Sequence, residues 1–141
     1  MKVSVPSADA SGSTACVLLV QGHKLITANV GNSRAILVNK HRKVRQLSDD
    51  HTLSTMPKER RRVEELGGRI DPKTNRILSS SKKEQGKGLH ISRSIGDFTL
   101  HKAGIVIAEP EIKHFNLEED DQILILASDG IWDKMKVQNV A

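Results

Sequence analysis

Aromatic residues are almost missing: there is no tyrosine, and only two phenylalanines and one tryptophan, Trp132, occur among 141 residues. The core must therefore be aliphatic. Little is left to stack on bases, which argues against nucleic acid as the partner. Cysteine is also scarce. The lone Cys16 excludes an internal disulfide and fits a reducing compartment, so a cytoplasmic or nuclear protein is expected. It lies within Ala-Cys-Val-Leu-Leu-Val, as a core thiol would, and not as a nucleophile. Long apolar runs are missing too. Val17 to Val20 and Ile123 to Ala127 are far too short to span a bilayer, and the N-terminal residues show no secretory signal. No membrane partner is expected. No Gly-rich phosphate loop and no zinc-like pairing of the six histidines occurs.

The length suits one domain. Hydrophobic residues make up 37%, and the net charge is +5. The charge is concentrated: residues 57–88 hold ten Lys and Arg against five Asp and Glu, which is the whole excess. Such a segment is either a docking face for an anionic partner or a solvated helix and loop.

Residues 1–10 read as a disordered lead-in. An apolar run at 15–20 and strand-like stretches at 25–30, 34–38 and 44–47 then alternate with turns at 21–23, 31–33 and 39–42 that carry Gly or Asn. This pattern predicts an antiparallel meander of hairpins. From Ser48 the character changes. Ser54 or Thr55 can cap a helix with Pro57 in its first turn, Val63 and Leu66 supply a narrow apolar face, and Gly67-Gly68 stops it. Residues 71–88 are polar and Gly/Ser-rich and read as a flap-like loop. A strand is expected at 89–91. Glu111 to Phe115 alternates as a half-exposed strand does.

The stretch Ile-Leu-Ile-Leu-Ala-Ser-Asp-Gly-Ile-Trp-Asp at 123–133 organises the rest. Its nearly continuous apolar run predicts a strand buried on both faces. The strand delivers Asp129 beside Gly130, where the backbone can bend. If a helix starts there, Asp129 and Asp133 face the same space. The segment is either a plain Asp-Gly turn or a carboxylate poised on a rigid strand to hold a hard cation.

Four stretches in fixed order bear on that choice: Ser-Gly-Ser-Thr-Ala at 11–15, Ala-Asn-Val-Gly-Asn-Ser-Arg-Ala at 28–35, Ser-Arg-Ser-Ile-Gly-Asp at 92–97 and Ala-Ser-Asp-Gly-Ile-Trp-Asp at 127–133. Together they closely resemble the metal-dependent serine/threonine protein phosphatases of type 2C, the PPM family. The resemblance implies an α+β fold: a sandwich of two antiparallel sheets flanked by helices. It implies hydrolysis of phosphoserine or phosphothreonine in a phosphoprotein by a water activated between two Mg²⁺ or Mn²⁺ ions per complete domain. Asp129 matches a metal-ligating aspartate. Thr14 and Asp133 match residues that hold metal-bound waters. Asn32 stands where the family usually has an aspartate that helps bind a weaker third ion, so that position is weakened here. A monomer is expected. A cysteine phosphatase would place an arginine six residues after Cys16, and position 22 is glycine.

The family's upstream Asp-Gly-His-Gly motif, its late Gly-x-Asp-Asn motif and its phosphate-gripping arginine are not in this chain. Residues 11–141 therefore read as the central part of such a domain, incomplete at both ends and inactive by itself. The alternative is a catalytically dead phosphatase-like regulatory or binding module. Arg93, Lys82 and Lys83 are candidates for substrate binding, the lysines by biasing choice toward acidic phosphopeptides. Arg93 could instead brace its own turn through Asp97, the preferred role. His51 is expected to be a structural turn element.

Overall fold

The computed structural model describes residues 11–78 and 88–140. The elements in chain order are β1 (Gly12–Ser13), β2 (Ala15–Gln21), β3 (Lys24–Val30), β4 (Arg34–Asn39), β5 (Val44–Gln46) and α1 (Pro57–Glu65). Then follow β6 (Arg69–Ile70), β7 (Ile77–Leu78), β8 (Gly88–Leu89), β9 (Ile95–Gly96) and α2 (Phe98–Lys102). The chain continues with β10 (Glu111–Asn116), β11 (Asp121–Ala127), α3 (Asp129–Trp132) and α4 (Val137–Val140). The described residues form two compact units, one of residues 11–13, 51–78 and 88–108 and one of residues 14–50 and 109–140.

The second unit is a sandwich of two three-stranded antiparallel sheets, ordered β10-β3-β2 and β11-β4-β5. The hairpins β2–β3 and β4–β5 form where the apolar runs predict them. The chain is not a continuous meander, however. At Gly31, whose φ is +103°, it leaves one sheet and enters the other. Glycine suits that reversal because it carries no Cβ. Alternation then does the packing. Leu25, Ala35, Leu37 and Leu47 are buried between the sheets, with Cys16, Leu18, Phe115 and Leu124 packed against them. Burial pushes the Cys16 thiol up, which keeps it protonated. On the other face of β4, Ile36 and Val38 meet Trp132, Ile125 and Val137, so α3 and α4 cover that side.

β11 departs from expectation. It is an edge strand of its sheet, and Ile123 is 53% exposed. A continuous apolar run shows that both faces are oily, not that both are covered.

The first unit is built from shorter pieces. β6, β7 and β8 make a small antiparallel sheet, and β1 pairs with β9. Leu53, Val63, Ile77, Leu100 and Val106 form its core. Helix α1 ends as expected. Gly67 N–H donates to Glu64 O and Gly68 N–H to Val63 O, with Gly67 in the left-handed region. Its start and its face differ from the sequence reading. Met56 is the N-cap, and its thioether offers no capping oxygen; the Ser54 and Thr55 hydroxyls turn to Thr52 instead. Leu66 is 52% exposed, and the buried residues of the helix are Val63 and Glu59. The strand expected at 89–91 is reduced to β8, and Ile91 makes an isolated bridge to Thr52. Among the described residues no helix is long and apolar enough to cross a membrane.

Candidate active site

The strand β11 runs into Ser128, which is extended, and Asp129 opens α3. The turn is helical: Asp133 N–H donates to the Asp129 carbonyl at 2.8 Å. Asp129 and Asp133 are therefore one helical turn apart, as their spacing requires. The Asp129 carboxylate does not stand alone. Asn32 Nδ2 donates to Asp129 Oδ2 at 3.1 Å, and Asn32 is buried. An ionised carboxylate has no proton to give, so the amide must turn its NH₂ group toward it.

The next two residues of the crossing segment reach elsewhere. The Ser33 hydroxyl lies 2.7 Å from that of Thr14, which fixes Thr14 at the entry to β2. Arg34 forms a fork on Asp50, Nε to Oδ1 at 2.9 Å and Nη2 to Oδ2 at 2.5 Å. Its guanidinium also lies over the Trp132 ring, 5.5 Å from the centroid. The Asp50 carboxylate, by its hydrogen bonds and charge, holds the Arg34 pKa above its ordinary value against the opposing effect of burial, and Asp133 adds to the same field. The Trp132 indole N–H donates to the Ala127 carbonyl at 2.7 Å. Of the sequence candidates, Asn32 and Asp129 are thus in contact, Thr14 is joined to the residue after Asn32, and Asp133 is the C-cap of α3. The sequence reading assigned no role to Arg34 or Asp50. Their signal was present, since Arg34 lies inside the 28–35 motif and Asp50 inside the acidic pair before His51.

The remaining candidates lie elsewhere. Arg93 belongs to the unit of residues 51–108, and its brace runs to Glu59. Arg93 Nη2 donates to Glu59 Oε1 at 2.7 Å and Nε to Oε2 at 3.1 Å. The Asp97 carboxylate accepts from Ser94 Oγ at 2.6 Å. His51 is fully buried, and its carbonyl accepts from Ser92 N–H. Lys82 and Lys83 lie outside the described residues.

Hard divalent cations want several oxygen donors, usually more than one of them charged. The corner described here is right in kind, with a carboxylate, an amide and a hydroxyl, but not in number. Among the described residues no group of three His, Cys, Asp or Glu is placed to hold a metal ion. These residues do not fit a complete two-ion centre.

Comparison with known proteins settles the class. The chain matches the protein phosphatase 2C family over residues 2–141. It is 36% identical over 141 residues to the probable protein phosphatase 2C 61 of Arabidopsis thaliana, covering 94% of this chain and 42% of that protein. It is 38% identical over 128 residues to the bovine (Bos taurus) protein phosphatase 1L, covering 90% of this chain and 33% of the relative. Among solved structures it superposes on a serine-threonine phosphatase 2C from Toxoplasma gondii with a TM-score of 0.76 at 25% identity, covering 93% of this chain and 45% of that one. A C. elegans sex determining protein gives 0.77 at 26% identity, covering 93% and 30%. The chain belongs to the protein phosphatase 2C family, and it spans less than half the length of each of these relatives.

Proposed function

We propose that this chain is part of a protein serine/threonine phosphatase domain dependent on Mg²⁺ or Mn²⁺, in which Asp129 is the carboxylate it brings to the metal centre. The observation that carries this reading is the placing of Asp129. It stands where the edge strand β11 turns into α3, and Asn32 orients its carboxylate. A buried partner of this kind fixes the direction in which a ligand presents its lone pairs. Thr14, held by the Ser33 hydroxyl, and Asp133, one helical turn after Asp129, are the polar groups this reading assigns to bound water. The oxygen-only donor set favours hard ions over zinc or copper. Further carboxylates must complete the centre, so the 141-residue chain is inactive by itself. Phosphoproteins are the substrates. The basic segment containing Lys82 and Lys83 favours acidic phosphopeptides, while Arg93, tied to Glu59, serves as a brace and not as a phosphate grip. A reducing compartment, cytoplasm or nucleus, belongs to the same reading.

One observation favours a second reading. A neutral amide already occupies Asp129 Oδ2, as suits a phosphatase-like binding module that has given up chemistry. Phosphate release from a phosphothreonine peptide decides between them, measured with Mn²⁺ on the full gene product and on its Asp129→Ala form. The enzyme reading expects metal-dependent release that the substitution abolishes. Peptide binding without release from the full product would establish the module instead. Release by the 141-residue chain alone would overturn the claim that it needs further ligands.

A further inference from the structure

The segment bearing Asp129 is stapled at both ends to the segment bearing Asn32. Ala127 pairs with Arg34 in the β11–β4 register. Five residues on, Trp132 returns to both of them: its indole N–H donates to the Ala127 carbonyl, and its ring lies under the Arg34 guanidinium. Residues 127, 132 and 34 thus close a ring of contacts, and Asp129 lies on the arc between 127 and 132. Arg34 is itself anchored by the fork on Asp50, in a largely buried pair. A four-residue helix has little stability of its own, so its direction must be imposed from outside.

We infer that Arg34 is a positioning residue: clamped by Asp50, it fixes Trp132, sets the direction of α3 and so determines where the Asp129 carboxylate stands. Asn32 can reach Asp129 Oδ2 only while α3 is held in this direction. The role needs arginine in particular. A planar guanidinium presents a fork to Asp50 with its edge and a face to Trp132 at once, whereas an ammonium does one or the other. Any consequence for catalysis rests on the reading of Asp129 given above. The positional claim does not, and it can be tested without turnover.

Trp132 is the single tryptophan, so its fluorescence reports the clamp directly. The experiment is Arg34→Lys in this chain, which keeps the charge and removes the fork and the flat face. The readouts are Trp132 emission, its quenching by acrylamide, and the side-chain amide resonances of Asn32. Loss of one cation–π contact should change the closed-to-open ratio of Trp132 by roughly two- to five-fold. The expected result is red-shifted emission, greater quenching, and an Asn32 NH₂ signal that moves toward its position in Asp129→Ala, where the bond is gone. Should Arg34→Lys fail to fold, Asp50→Asn carries the test, because it leaves Arg34 in place and takes from its anchor the charge and one of the two acceptor oxygens. The same shifts in the same direction are expected, and a smaller size supports the claim equally. A folded variant with Trp132 quenching and the Asn32 signal at wild-type values, and only a lowered unfolding midpoint, would make Arg34 a structural residue and overturn the inference.

Discussion

Arg93 grips Glu59 with two hydrogen bonds, at 2.7 and 3.1 Å, and the carboxylate is only 3% exposed. Ser92 Oγ donates to the same carboxylate at 2.7 Å and Arg62 Nη2 at 3.1 Å. Burial alone would push the carboxyl pKa up. The bonds from Arg93, Ser92 and Arg62 overcome it and hold the value at about 2, below the ordinary 4.5. A depressed carboxylate stabilises the fold above its ordinary value, and that contribution is lost as the pH falls toward the folded one.

Glu59→Gln should therefore cost about 3 kcal/mol at neutral pH, since it leaves two half-buried guanidinium groups short of a charge. The gap between wild type and variant should narrow between about pH 4.5 and pH 2. Urea unfolding across that range checks it. A gap that does not change with pH would show that Glu59 acts through packing alone.

Two leucines separate the covered faces of the sandwich from the open one. Leu37 is 2% exposed between the sheets, and Leu19 is 55% exposed on β2. Leu37→Ala should lose about 2–5 kcal/mol through lost burial and the cavity left behind. Leu19→Thr keeps a residue that suits a strand and should stay within about 0.5 kcal/mol of wild type. The comparison is of urea midpoints at equal slope. Similar losses at the two sites would mean that Leu19 is covered in solution.

The hairpins were legible because apolar stretches are set off from one another by turns that each carry Gly or Asn. The sandwich was not read from the hairpins themselves, since nothing local says that the chain changes sheets at Gly31. β6 and β7, at two residues each, are too short for any period. Asp129 stood out because an apolar run ends in Asp-Gly. Its partner Asn32 lies ninety-seven residues away and entered only through the family resemblance. Glu59 gave no warning. On a helix reading Lys-Glu-Arg-Arg-Arg, a buried acid looks like any surface charge until its partners Ser92 and Arg93, more than thirty residues on, fold against it.

The account stands on Asp129 as a ligand for a hard divalent ion, and paramagnetic broadening by Mn²⁺ tests that most directly. With this chain labelled in its backbone amides, Mn²⁺ should broaden resonances in a shell centred on residue 129 that includes residues 32 and 133. Binding should be weak, because one carboxylate is a poor cage, and Asp129→Ala should remove it. Broadening centred elsewhere, or unchanged in Asp129→Ala, would contradict the account.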